Sequence, residues 1–188
     1  MNLLNRVIGI ITKPNEEWLV IKDENISTKQ LFVGYVAILA LIPVVAGFIG
    51  NFFTRFPVSY GLVGAIVTYI MTFVGIYLSA FIINMLAPNF ESTKNMDNAL
   101  KLVAFSYTPI WIGGIFNIIP SLSVLGSILG LYGLYLLYLG IEPMMATPSA
   151  KRISYLVVSL LVLFVVYIII GAIVGAIIGL LMLGRYAY

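Results

Sequence analysis

Four stretches of the chain carry no charged side chain: Gln30–Thr54, Phe56–Phe90, Leu102–Ile141 and Ile153–Gly184, of 25, 35, 40 and 32 residues. A helix needs roughly 20 apolar residues to cross the hydrocarbon core of a bilayer. Each stretch is therefore long enough to span. The third would extend about 60 Å as one helix against a core of about 30 Å, so it must turn back, and Pro120-Ser121 is the best turn within it. The pattern predicts five spans, over about 28–53, 59–86, 102–119, 122–140 and 153–184.

Local signals punctuate these spans. Ser27-Thr28-Lys29-Gln30 has the form of a capping box opening the first. Pro43 lies inside that span and should kink it. Ala87-Pro88-Asn89 ends the second. Lys94, Asp97, Asn98 and Lys101 recur at i, i+3, i+4 and i+7, which predicts a solvated helix face leading into the third, with Asp97 and Lys101 as an i, i+4 pair. Thr108-Pro109 and Gly113-Gly114 should bend that span. Glu142-Pro143 and Thr147-Pro148-Ser149 mark the next loop, and the last run, about 48 Å as helix, must tilt, bend or emerge.

Residues 1–27 are different. Leu3, Leu4, Val7, Ile8 and Ile11 fall at helical spacing, with Asn2, Asn5, Arg6, Gly9, Thr12 and Lys13 opposite, as in a short amphipathic helix lying in the membrane interface. Arg6 interrupts the apolar stretch and no small-residue cleavage site follows, which argues against a secretory signal. Pro14 opens a second short helix with Glu16 and Glu17 in its first turn. Trp18 and Leu19 are expected to anchor it at the headgroups.

Composition strengthens this picture and removes most chemistry. Of 188 residues, 62% are hydrophobic and 9% charged, too few polar groups to cover a soluble monomer. The chain has no His and no Cys, which excludes thiol nucleophiles, His or Cys metal sites, haem or iron–sulfur ligation and a Ser-His-Asp triad. Asp23 and Asp97 both lie in polar segments, so paired intramembrane aspartates are absent, as is a Gly-rich phosphate loop with a Lys. No enzyme, cofactor or metal is expected. Ten Lys and Arg against seven acids give +3, which on such a chain reflects topology rather than nucleic-acid binding. Arg6, Lys13, Lys22, Lys29, Lys94, Lys101, Lys151 and Arg152 fall on one side of the predicted topology, and Arg55 and Arg185 on the other. Eight against two places the N-terminus in the cytoplasm and the C-terminus outside.

Polar residues at membrane depth are the candidate functional groups. They are Thr68, Thr72, Ser79, Asn84, Ser106, Tyr107 and Asn117, for which interhelical hydrogen bonding is the ordinary role. Glu142, the acid nearest the Pro-rich fourth loop, could carry a proton or bind a cation, although a hydrated carboxylate at a helix end is commonplace. Gly171, Gly175 and Gly179 form two consecutive GxxxG frames, a flat stripe suited to close helix contact within the chain or between chains. Gly126 and Gly130 offer a similar face that could be its partner.

The second half of the chain resembles the Yip family (Ypt/Rab-interacting protein domain), in particular its compact prokaryotic members. The likeness rests on an ordered series: Asn98-Ala-Leu-Lys-Leu-Val-Ala-Phe-Ser-Tyr107-Thr-Pro109, then Ile119-Pro120, then Leu131-Tyr132-Gly133-Leu-Tyr135-Leu-Leu-Tyr138-Leu-Gly140 and a loop containing Pro148. Lys13-Pro14-x3-Trp18 near the start also fits. The resemblance implies a five-span membrane domain with a cytoplasmic N-terminus, in a prokaryotic plasma membrane. Eukaryotic relatives act at Golgi and endoplasmic reticulum membranes, binding Rab GTPases and one another. This chain lacks their long N-terminal extension and their DLYGP-type motif, so Rab binding is not carried over. Tyr107, Pro109, Tyr132, Gly133 and Gly140 match the recurring motifs as structural markers.

Three functions are compatible with these features. A scaffold or adaptor would associate with other membrane proteins or with itself through glycine faces. A small transporter or channel subunit would use the broken third span, with Asn117 and Glu142 as contacts. Bilayer shaping would use the N-terminal amphipathic segment.

Overall fold

The computed structural model describes residues 2–53 and 58–185, and side-chain surroundings over 2–52, 61–119, 121–126, 128–170 and 172. Among the described residues the chain is helical, with no strand. Five helices are long and apolar enough to cross a membrane, so the protein is an all-α, multi-pass membrane protein embedded in the lipid bilayer. Two short helices precede them: α1 (Leu3–Thr12) and α2 (Pro14–Asp23). Span one is Thr28–Gly50, span two Val58–Leu86, span three Met96–Ile118, span four Ser123–Met145 and span five Arg152–Arg185.

Outer surfaces are apolar along span two (Leu62, Ile66, Ile70, Val74, Phe81) and span five (Val157, Leu161, Phe164, Ile168). Such faces are aggregation liabilities in water and ordinary in lipid. Span three is the central helix. In its most apolar 18-residue stretch 72% of residues are buried, against 17% to 29% in the other four.

Ser27 opens span one as read from the sequence: its hydroxyl accepts from the Gln30 amide while the Gln30 side chain accepts from the Ser27 amide. Phe32–Val36 then forms a π-helical turn, which rotates Tyr35 into the bundle. There Tyr35 meets the break in span three. Pro109 has no amide hydrogen for the Phe105 carbonyl four residues earlier, and the Thr108 hydroxyl donates to that carbonyl instead, at 2.7 Å. With its proton so used, Thr108 accepts from the Tyr35 hydroxyl at 2.6 Å. Replacing Tyr35 with Phe removes this bond but leaves Thr108 bound to Phe105. The expected cost is therefore about 1 kcal/mol, read as a lower unfolding midpoint in detergent.

After Gly113 span three tightens into a 3₁₀ turn, Gly114–Ile118. This segment lies against the second half of span one, where a Cβ on Gly114 would overlap Pro43 and one on Gly50 would overlap the Asn117 carbonyl. The irregularity expected at Gly113-Gly114 thus appears as the 3₁₀ turn, and it packs backbone to backbone on the α-helix Ala37–Gly50, which runs uninterrupted through Pro43. Spans three and four run antiparallel through a second close contact. A Cβ on Gly126 would sit 2.8 Å from the Gly113 carbonyl oxygen, and one on Gly133 2.7 Å from that of Ser106. The face of Gly126 and Gly130, considered above as a partner for the last span, instead packs on span three of the same chain, with Gly130 facing Ile110.

One end of the bundle, where spans one, three and five begin, carries the polar stitching. The Thr93 amide donates to the Met145 carbonyl at 2.8 Å, Asn98 Nδ2 donates to the Met144 carbonyl at 2.9 Å, and Ser92 and Thr147 share a hydrogen bond of 2.8 Å. Phe90 stacks on Tyr155, whose hydroxyl donates to the Ile83 carbonyl.

Candidate functional site

The N-terminal segment is not a peripheral tail. It is a helical hairpin laid along the flank of spans three and four at the charged end. Trp18, expected at the headgroups, is instead buried: its indole would be struck by a Cβ on Gly140 and meets Phe105 edge to face at 6.4 Å. Glycine at position 140 makes the seat for that ring. Ile10 and Ile21 are buried beside it. The Tyr132 hydroxyl donates to the Ile11 carbonyl at 2.7 Å, satisfying a free acceptor at the end of α1. Tyr132 lies 13 residues before the end of span four at Met145, or about 20 Å along the helix, which measures how far the hairpin covers it.

Arg6 is the second correction. The amphipathic pattern put it on the outward polar face, yet its side chain is 7% exposed and turned into the protein. Its guanidinium pairs with both Glu17 of α2 and Glu24 beyond it, and lies over the Phe105 ring at 5.7 Å to the centroid. A Cβ on Gly9 would collide with the Glu17 carboxylate, so glycine there lets the two helices close on the ion pair. Lys101 joins the same cluster. Read from the sequence as part of a solvated face paired with Asp97, it is buried and donates to the Glu24 carbonyl at 2.8 Å. Asp97 accepts from the Thr28 hydroxyl at 3.0 Å. Phe105 is the hub, touched by Arg6, Trp18 and Tyr35. Burial of a charge is tolerable here because each ion has a partner. Sequence reasoning missed this cluster because it treated α1 as a lone helix. The signal available was the coincidence of Arg6 with Ile10, one turn apart, and of Glu17 with Glu24, two turns apart.

Two cavities hold the remaining candidates. One of about 100 Å³ lies between spans two to five, lined by Ser79, Ser106, Tyr107, Gly133, Leu137 and Leu163 among others. Tyr107 hydrogen-bonds Ser79 there and packs on Trp111, with centroids 5.9 Å apart. Pro109, two residues further on, is buried. The other, a cleft of about 350 Å³ at the opposite end of the bundle, is lined by Asn117 with Asn51, Thr68 and the small residues Gly47, Gly61 and Gly64. Glu142 lies far from it, at the charged end, paired with Arg152 at 3.1 Å; that guanidinium also covers the Tyr138 ring. The structure therefore does not bring Asn117 and Glu142 together. Gly171, Gly175 and Gly179 belong to span five, but the surroundings of their α-carbons lie outside the described residues.

Among the described residues no group of three acidic side chains is arranged to hold a metal ion. The charges that converge at the hairpin fasten helices together; no nucleophile stands beside a base there.

Comparison with known proteins agrees with this architecture. The chain is 26% identical over 177 residues to the inner membrane protein YohC of Escherichia coli K12, covering 85% of this chain and 91% of the relative. The corresponding protein of E. coli O6:H1 strain CFT073 matches equally. No solved structure matches the chain. The family model of the Yip1 domain matches residues 8–171, from within α1 to the first glycine of the span-five stripe, and so covers spans one to four and the first part of span five. This chain belongs to the Yip1 family of integral membrane proteins.

Proposed function

We propose that the protein is a non-enzymatic membrane scaffold or adaptor that works through helix–helix association in a prokaryotic plasma membrane. The observation that carries this reading is the asymmetry of the bundle. In the most apolar stretch of span five only 17% of residues are buried, the lowest share of the five. A span so little engaged over Ser149–Ile170, and carrying in sequence a glycine stripe at Gly171, Gly175 and Gly179, is suited to receive another helix, from a second copy or from a different membrane protein. The name of the E. coli relative, an inner membrane protein, supports the compartment. The count of basic residues supports a cytoplasmic N-terminus and an extracytoplasmic C-terminus. Nothing carries Rab GTPase binding to this chain. Gly175→Leu is expected to reduce association at least about tenfold, as measured by energy transfer between labelled copies or from labelled protein to a co-purified partner, because a branched side chain blocks close backbone approach. Unchanged association would remove span five as the contact.

A transporter or channel subunit is the second reading, favoured by the polar cleft at Asn117 between spans one, two and three. It requires solute flux in proteoliposomes that falls with Asn117→Ala. Glu142 supports it poorly, since its carboxylate is 44% exposed and paired with Arg152. Glu142→Gln is expected to change stability by less than about 1 kcal/mol and to leave growth and localisation unaltered.

A further inference from the structure

The hairpin turns Arg6 and Glu17 inward and several of its apolar side chains outward. Leu4 and Ile8 of α1 and Leu19 and Val20 of α2 are 51% to 63% exposed, while Arg6 and Glu17 face each other inside. Between the apolar residues stand exposed Asn5, Lys13, Glu16, Lys22 and Asp23, so the outer surface is mixed rather than purely apolar. That is the composition of a segment at the boundary of acyl chains and headgroups. Its neighbours say the same. Tyr135 of span four is 47% exposed beside the stretch the hairpin covers, with Leu131 and Leu134 exposed next to it, so that flank too mixes aromatic and apolar side chains.

From this placement we infer that the hairpin is a built-in wedge in the leaflet at the charged end, and that the protein accumulates where that leaflet is convex. Each of its two ten-residue helices is about 15 Å long and about 10 Å wide, so lying against the bundle they enlarge its outline in one leaflet by at most about 300 Å². The other leaflet receives no counterpart among the described residues, where the 3₁₀ turn Asn51–Phe53 closes span one and the single 3₁₀ turn Pro120–Leu122 joins spans three and four. A body wider in one leaflet than in the other lowers the packing stress of a bilayer curved toward its wide side, and interfacial helices respond to curvature for this reason. Free amphipathic helices pay for folding and docking at each encounter with lipid. Here Trp18, the Arg6 ion pairs and the Tyr132 bond hold the wedge in place beforehand. The inference stands apart from the scaffold reading, since a single copy with no partner suffices.

The chain's lack of cysteine permits a clean test. The full-length protein carrying Asp23→Cys is reconstituted in giant phosphatidylcholine–phosphatidylglycerol vesicles and labelled from outside with a membrane-impermeant dye, so only molecules with the charged end outward are seen. Narrow tubes are then pulled outward, and protein density in tube and vesicle is compared with that of a lipid dye. Enrichment in the tube of about twofold or more is expected from curvature-dependent interfacial insertion. The variant Leu4→Gln, Ile8→Gln, Leu19→Gln, Val20→Gln changes only exposed positions, and its enrichment should fall to that of the lipid dye. Native protein distributed like the dye would overturn the inference, and so would a polar variant that sorts as strongly as the native chain.

Discussion

Substituting Leu for Gly126 should cost more than about 3 kcal/mol and leave much of the protein unfolded in mild detergent. The reason is that the obstacle is backbone. A Cβ at this position meets the Gly113 carbonyl oxygen at 2.8 Å and its carbon at 3.3 Å, and neither can rotate away as a side chain would. Spans three and four would have to separate, and the contacts further along the same seam, Gly133 on Ser106 and Gly140 on Leu102 and Trp18, would open with them. Because span three is the central helix, the damage would spread to span one through Gly114 and Pro43. Gly130→Ala is the control. Its Cβ would meet Ile110 at 3.9 Å, an ordinary contact, and alanine favours helix over glycine by about 1 kcal/mol. Titration with a denaturing detergent, followed by circular dichroism, should show a much lower midpoint for Gly126→Leu and an equal or higher one for Gly130→Ala. Equal midpoints for Gly126→Leu and the native protein would mean that spans three and four do not meet at this point.

Arg6→Met is expected to loosen the hairpin without unfolding the spans. It removes the cation shared by Glu17 and Glu24 and leaves two carboxylates facing each other beside Phe105. Breaking a fully buried pair typically costs 3–5 kcal/mol; with Glu17 and Glu24 at 19% and 28% exposure, solvent relieves part of that, and about 2 kcal/mol is expected. Trp18 reports the event. In a Trp111→Phe background it is the sole tryptophan, and its emission should shift to the red and become quenchable from water. Adding Glu17→Gln and Glu24→Gln should restore most of the native emission, since a cluster without charges needs no counter-ion. An unshifted spectrum for Arg6→Met would show that packing by Trp18 and Ile21 suffices to hold α2.

What the sequence made legible follows from which forces act locally. Charge-free runs report the bilayer directly, since any charge inside one would face hydrocarbon, and five membrane helices follow from the runs together with one forced turn. Proline and glycine report backbone irregularity just as directly, which is why the breaks at Thr108-Pro109 and Gly113-Gly114 were foreseeable. The N-terminal segment was misread at Arg6 and Trp18 for a definite reason. Amphipathicity says that a helix has two faces but not which one meets protein and which meets lipid, and in a membrane protein an apolar face can point outward while a charge turns in. Lys101 was misread in the same way. Its i, i+4 relation to Asp97 suggested a solvated pair, whereas the nearest acceptor in space, the Glu24 carbonyl, is 77 residues away in sequence. The glycines were recognisable as packing positions, but no spacing rule tells whether Gly126 meets a helix of its own chain or of another.

The claim at the centre of this account is that span five is an associating surface, and in-membrane crosslinking tests it most directly. A photoreactive amino acid placed at Ala172, exposed beside Gly171, is activated in cells expressing the tagged protein at native abundance, and the products are identified by mass spectrometry. The account requires a reproducible protein adduct, to a second copy or to one other membrane protein, that disappears with Gly175→Leu. Adducts to lipid alone, or a protein adduct indifferent to Gly175→Leu, would contradict it and turn attention to flux through the cleft at Asn117.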